Sequence, residues 1–324
     1  MGWHLQWLLA LLCGALSIGV AEAQQYPSPS RVIKLIVPYP AGGVVDVTGR
    51  LLAEHLRKEL NGTIIVENKP GAGGTIGATF VARAEPDGYT LLLSGAATHA
   101  FAPALFKSLA YDPVADFAPI TQVTDGPLAL CVSSTSEIKD FASFVAHLKA
   151  NGAGTNYASN GYGTYPHLAM ELLKQTADFQ SVHVSFRGGN EAITALLARQ
   201  VDITFNHIPN VLSHIEQGTF RVLATSGSTR AKVLPNVPTV KEAGYDVVAS
   251  AWFGLFAPAK TPRPIIDQIY QGVSKAMENT DLRKKLIAQG DEPLAEGPDK
   301  FRELQMGELK KWTTAIRAAK IEQQ

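Results

Sequence analysis

Val37-Pro38-Tyr39-Pro40-Ala41-Gly42-Gly43-Val44-Val45-Asp46 runs from a β-rich stretch through two adjacent glycines into a helical pattern. Paired glycines let consecutive backbone N–H groups face one concavity, which suits an anion. Asp46 is spaced to cap the helix by accepting from the N–H groups two or three residues on. Its charge would then occupy the helix end and leave an anion to the Gly42/Gly43 loop. On the residues alone, an anion loop and a tight strand-to-helix turn with an ordinary cap stand level.

Three more segments repeat the arrangement of strand, glycine turn and helix. In Asn68-Lys69-Pro70-Gly71-Ala72-Gly73-Gly74-Thr75-Ile76-Gly77 a dinucleotide fingerprint fails, because Ile76 stands where glycine is required. It reads as a shaped loop opening the next helix. Ser159-Asn160-Gly161-Tyr162-Gly163-Thr164-Tyr165-Pro166-His167 would converge hydroxyls and N–H groups beyond a strand end, with Pro166 suited to a first helical turn. In Phe186-Arg187-Gly188-Gly189-Asn190, Asn190 can cap a helix. Arg187 can meet a carboxylate or serve equally in a surface or interdomain ion pair.

Reactive side chains are scarce. The chain has no G-x-S-x-G elbow, no H-E-x-x-H, no phosphate-binding P-loop and no paired-cysteine metal spacing. His167 and Glu171 lie one helical turn apart, but two ligands do not make a metal site. His183, His207 and His214 are isolated and read as core or surface polar groups. Four donor-rich turns without a nucleophile favour non-covalent capture of a small anion over turnover.

The elements that must position these turns alternate strand and helix, as in an α/β protein. Expected strands are Val32–Val37, Thr63–Glu67, Thr90–Leu93, Ala129–Val132, Asn156–Ala158, Val182–Phe186, Asp202–Phe205, Val222–Ala224 and Trp252–Ala257. Helical stripes run over Val47–Leu60, with Gly62 just past the end, onward from Pro264, and over Asp299–Ile321. At 324 residues there is room for two domains of about 150 residues each. No linker separates them, so the chain is expected to cross between interleaved domains around Thr121–Pro127 and Thr225–Thr229. Domain 1 comprises 24–123 and 226–324, and domain 2 comprises 124–225.

Composition narrows the partners. The 29 Lys+Arg cancel 29 Asp+Glu, which argues against nucleic acid or an anionic membrane held by bulk charge. A mean hydropathy of +0.03 excludes a polytopic membrane protein. Leu5 to Val20 form an apolar run too short for a span, followed by the small residues Ala21 and Ala23. Residues 1–23 therefore read as a secretory signal leaving Gln24 first, with an N-terminal anchor helix as the other reading. The remaining chain stays neutral, so a charged ligand must be met by local geometry. Cys13 lies in that signal, and Cys131, inside an apolar run, reads as inert packing.

Taken together, Val37 to Gly43 with Asp46 and Arg50, Glu67 to Gly74 with Gly77, and Pro86-Asp87-Gly88-Tyr89-Thr90-Leu91 resemble the Bug-type solute receptors of tripartite tricarboxylate transporters. Further matches follow in order: Tyr111-Asp112-Pro113 with Asp116-Phe117, Gly161 and Gly163 with His167, and Arg187-Gly188-Gly189. Pro235-Asn236-Val237-Pro238-Thr239 with Glu242-Ala243-Gly244, Trp252 and Ala257-Pro258 to Pro262 complete the series.

The resemblance implies a monomeric periplasmic protein of two interleaved α/β domains with a ligand cleft between them, like type II periplasmic binding proteins. It would close on a small carboxylate and deliver it to membrane transporter subunits, without metal, cofactor or nucleic acid. In domain 1 the implied ligand residues are Tyr39, Pro40, Ala41, Gly42, Gly43 and Asp46, with Ser94, Ala96, Thr98 and His99. In domain 2 they are Ser159, Gly161, Gly163 and Thr164, with Phe186, Arg187, Gly188 and Asn206. Val44-Val45 stands where the family has a small polar or proline pair. Ser185-Phe186 replaces Pro-Tyr, and Asn206 stands where Asp is common. These departures favour a dicarboxylate with an apolar or aromatic body over an amino acid. Rival readings are an exported hydrolase using Ser94 or Ser159 with a histidine, and a partner that presents its ligand to a sensor.

Overall fold

The computed structural model describes residues 26–323, so the expected signal, Cys13 and Gln24 lie outside the described residues. Two α/β lobes share one continuous strand. The first lobe opens with β1 (Val32–Val37), α1 (Val44–Leu60), β2 (Thr63–Asn68), α2 (Thr75–Ala82) and β3 (Thr90–Gly95). A π-helical turn, Ala97–Phe101, then flows into α3 (Ala102–Leu105). Strand β1 lies parallel between β2 and β3.

Strand β4 (Phe117–Ser133) carries the chain across. The second lobe holds α4 (Phe141–Asn151), β5 (Asn156–Ser159), α5 (Tyr165–Ala177), β6 (Val182–Ser185) and α6 (Gly189–Leu197). β7 (Ile203–His207), α7 (Ile208–Glu216) and β8 (Phe220–Thr225) follow. The chain returns through β9 (Ser250–Pro258), α8 (Arg263–Met277), α9 (Thr280–Ala288), β10 (Glu292–Glu296) and α10 (Pro298–Ala318). In each lobe three parallel strands end on an antiparallel crossing strand. The order is β2-β1-β3-β9-β4 in the first and β4-β7-β5-β6 in the second, with β10 and β8 added on β4.

Expected crossing turns at Thr121–Pro127 are instead the middle of β4. From Phe117 to Pro127 that strand pairs with β9, and from Leu128 to Ser133 it pairs with β7 and β8. Proline has no N–H to give a ladder, and Pro127 falls where β4 exchanges one set of partners for the other. Pro119 borders a register shift in the same ladder. The second crossing is stitched by Ser226, whose Oγ accepts from the Leu128 N–H at 2.9 Å and donates to the Ala249 carbonyl at 2.6 Å.

Burial follows the patterns that built the elements. In α1, Leu52, Leu56 and Leu60 are buried, each contributing about 1.5–3 kcal/mol. Its end is capped by Asn61 in the left-handed region (φ 50°), one residue before the expected Gly62. Along β4, Leu128, Leu130 and Val132 face one core cluster while Ala129 and Cys131 face another, so both faces of the strand are covered. Burial pushes the Cys131 thiol well above its ordinary range, which fits packing and not reactivity. Strand β10 escapes the sequence pattern because its five residues, Glu292 to Glu296, open on Glu292-Pro293 and hold no apolar/polar alternation. Among the described residues, no helix is long and apolar enough to cross a membrane.

Candidate functional site

A cavity of about 770 Å³ lies between the lobes. Tyr39, Pro40, Gly42, Gly43, Val44 and Val45 bring the first glycine turn to it, and Ala72 and Gly73 bring the second. Gly95, Ala96 and Ala97 follow from the end of β3, with Phe101, Leu105, Phe106 and Phe253 behind them. Asn160, Tyr162, Gly163, Thr164 and Tyr165 face them from the second lobe, with His207 and Asn210. Among the described residues that line the cavity, none carries an Asp, Glu, Lys or Arg side chain. Burial pulls His207 down to about 4, so its imidazole is neutral at pH 7.

Three helices begin on this cavity: α1 at its cap Gly43, α5 at Thr164 and α7 at His207. No cap makes a side-chain hydrogen bond, which leaves the first-turn N–H groups without a side-chain acceptor, Pro166 in α5 and Pro209 in α7 having none to give. Each helix end carries the equivalent of about half a positive charge. The site thus offers an anion the partial positive ends of α5 and α7 and the backbone N–H groups of the α1 start, whose own dipole Asp46 offsets, and no formal positive charge.

Asp46 does not cap α1 as expected. The helix starts at Val44, three residues earlier than the sequence pattern, so Asp46 falls inside the first turn and its carboxylate turns back. It accepts from the Gly42 N–H at 2.8 Å, from Arg50 Nε at 3.0 Å and from Asn68 Nδ2 at 2.9 Å. Asn68 Nδ2 also reaches the Tyr39 carbonyl at 3.0 Å. Burial pushes the Asp46 carboxyl up, but Arg50, the Gly42 amide and Asn68 outweigh it and hold it below the usual carboxylate range. Asp46 therefore shapes the loop, with Gly42 at φ +81°, and does not line the cavity.

Ser94, Thr98 and His99 are fully buried and do not line this cavity. Ser94 is buried within β3 itself, and the helical turn that follows carries Thr98 and His99 into the core. There Ser94 Oγ and Thr98 Oγ1 lie 2.8 Å apart, Thr98 Oγ1 and His99 Nδ1 2.8 Å, and His99 stacks on Phe256 at 3.8 Å. Burial takes His99 down to about 3. Of that stretch only Ala96, with its neighbours Gly95 and Ala97, meets the cavity.

In the second lobe Gly163 and Thr164 line the cavity, while Ser159 and Gly161 brace the loop from behind. Phe186 packs into the smaller core cluster. Arg187 is exposed, and its backbone N–H donates to Glu191 Oε2 at 3.0 Å. Gly188 caps α6, so Asn190 lies inside the first turn and caps nothing, contrary to expectation. Asn206 is buried, giving its amide to the Gly189 carbonyl and accepting from Asn210, which itself lines the cavity. Ala41 is not among the lining residues.

Sequence reasoning missed Ala72 and Gly73, the aromatic wall, and His207 with Asn210. A usable signal existed for His207, which ends β7, since ligands of open α/β sheets lie beyond the carboxyl ends of strands. The aromatic wall gave none, because Phe101 and Phe253 look like core residues.

Residues 48–321 match the model of the tripartite tricarboxylate transporter family receptor. The chain belongs to that receptor family. Protein BugT of Bordetella pertussis is 34% identical over 291 residues, covering 89% of each chain. MatC from Rhodopseudomonas palustris, solved with bound malate, is 34% identical with a TM-score of 0.75, over 89% of this chain and all of that one. An R. palustris protein solved with adipate is 26% identical with a TM-score of 0.79, over 91% of this chain and 99% of the other. This Bug-type receptor is accordingly a solute-binding protein with the two-lobed α/β fold, in a family of receptors and not of enzymes. The chain also holds two serine–histidine associations, both away from the cavity. Ser94 is linked to His99 only through Thr98, Ser159 Oγ lies 2.7 Å from His183 Nε2, and neither serine lines the cavity.

Proposed function

We propose that this receptor captures a small dicarboxylate with an apolar or aromatic body in the periplasm. The lobe built from both ends of the chain closes on the lobe of its middle, with bounds near 123 and 226. The monomer then delivers the ligand to the membrane subunits of a tripartite transporter. One observation carries the reading: three uncapped helix starts, contributed by both lobes, surround a cavity without a charged side chain. Backbone N–H groups from each lobe favour the closed form when a carboxylate bridges them.

The body of the ligand follows from the walls. Val44, Val45, Phe101, Leu105, Phe106 and Phe253 are apolar, and no lining carboxylate awaits an ammonium group. An amino acid would lose the hydration of its cation without a partner. Relatives of this chain have been solved with malate and with adipate, which are carboxylates of the expected class.

A thermal-shift panel of aliphatic and aromatic mono- and dicarboxylates, with aspartate and glutamate, tests the reading. Dicarboxylates such as adipate or phthalates should raise the melting temperature as they saturate the protein. Stabilisation by aspartate or glutamate alone would refute it.

A further inference from the structure

Behind the second-lobe loop stands a column of rings that the receptor reading does not use. Tyr162, at the cavity, tilts over His167 at 4.7 Å between centroids. His167 stacks on His183 at 4.0 Å and 13°, and His183 stacks on Tyr157 at 4.9 Å. His167 is buried, and its Nδ1 accepts the Gly163 N–H at 3.0 Å. Across the column, His183 Nε2 lies 2.7 Å from Ser159 Oγ. That hydroxyl in turn accepts the Gly161 N–H and donates to the Gly161 carbonyl. Thr164 Oγ1 donates to the same carbonyl at 2.7 Å.

Gly163 is the demanding point of this loop. Its φ is +71°, and a Cβ there would stand 2.6 Å from Leu105 of the opposite lobe. The residue is therefore pressed against the other wall of the cleft in a conformation few side chains adopt. Its amide turns inward and donates to His167 Nδ1.

We propose that His167 is a positioning residue for ligand capture. Its unprotonated Nδ1 holds the Gly163 amide, fixing the loop so that the start of α5 presents its free N–H groups to the carboxylate. The inference rests on the cavity being the carboxylate site.

The groups facing this pair set its protonation. Burial, His183 and Lys174 lower His167 to about 3. His183 goes down to about 4 through burial, with Glu171 opposing and Lys174 assisting. Tyr157 donates to Glu171 at 2.6 Å, and Lys174 pairs with Glu171 at 2.7 Å, completing the surroundings. Both imidazoles are thus neutral at pH 7, as an acceptor requires.

Two variants separate the acceptor from the packing. His167→Phe keeps a ring in the column and removes the acceptor, whereas His167→Asn places an oxygen near the former Nδ1. Against adipate, the phenylalanine variant should bind about tenfold more weakly and the asparagine variant within about threefold of wild type. Hydrogen exchange at the Gly163 amide should quicken in the first and stay slow in the second. Equal losses in both, or wild-type affinity and exchange in the first, would overturn the proposal. Imidazole nitrogen shifts of the wild-type protein decide it even if His167→Phe fails to fold, because His167 must carry its proton on Nε2. A wild-type protein that binds no carboxylate would sink the receptor reading, while the Gly163 exchange would still report on the tether.

Discussion

The two cavity loops solve one problem with opposite chemistry. In the first lobe the Gly42 amide is held by a carboxylate, Asp46, which Arg50 and Asn68 keep ionised. In the second lobe the Gly163 amide is held by a neutral imidazole inside a ring stack. Each places its anchor behind the loop and leaves the ligand side to backbone donors. An anchoring charge is therefore not a ligand-binding charge, and Asp46 beside a carboxylate site is no contradiction once its own partners are counted.

The largest expected effect comes from cutting the charged anchor. Asp46→Ala should weaken adipate binding about a hundredfold by calorimetry, since it frees the Gly42 amide and takes a charged acceptor from Asn68 and from Arg50, which keeps only Asn68 Oδ1. An effect no larger than that of His167→Phe would erase the contrast between the loops. The neutral anchor, as above, is worth about tenfold.

Acidity should separate the loops further. His167 and His183 lie below the ordinary histidine value in the folded state, so the unfolded chain binds protons first. Their contribution is complete above about pH 6.5 and is lost as the pH falls toward 4 and 3. Asp46 is also depressed, and its contribution is lost only as the pH falls below the usual carboxylate range. Exchange protection at Gly163 should accordingly decline at a higher pH than protection at Gly42. The reverse order would break the comparison.

The smallest effect is expected at Arg187, the exposed cation near the second-lobe loop. Arg187→Ala should change adipate affinity about threefold or less, as an exposed charge is worth little. A tenfold loss would mean that this side chain swings onto the distal carboxylate during closure, and that the second lobe uses charge after all.

Much of this was legible in the residues. Glycines after apolar runs marked the turns at Gly42/Gly43 and at Gly161 and Gly163, because turn chemistry is local, while the resemblance to a receptor family is what pointed those turns at a ligand. Roles decided by a few residues of helix register were not. An α1 start at Val44 instead of Val47 converts Asp46 from a cap into a tether. A helical turn after Gly95 sends Thr98 and His99 inward. β4 was hidden because Gly126-Pro127 looks like punctuation, and only the exchange of strand partners makes it tolerable. Phe101 and Phe253 owe their place at the cavity to the approach of two lobes, which no local pattern encodes.

The central claim, capture by backbone donors without a charged side chain, is tested most directly by a crystal structure of the complex with adipate. The expected result places carboxylate oxygens about 3 Å from N–H groups at the starts of α1 and α5, with no lysine or arginine in ion-pair range. A carboxylate clamped by Arg187 or by another cation would contradict it.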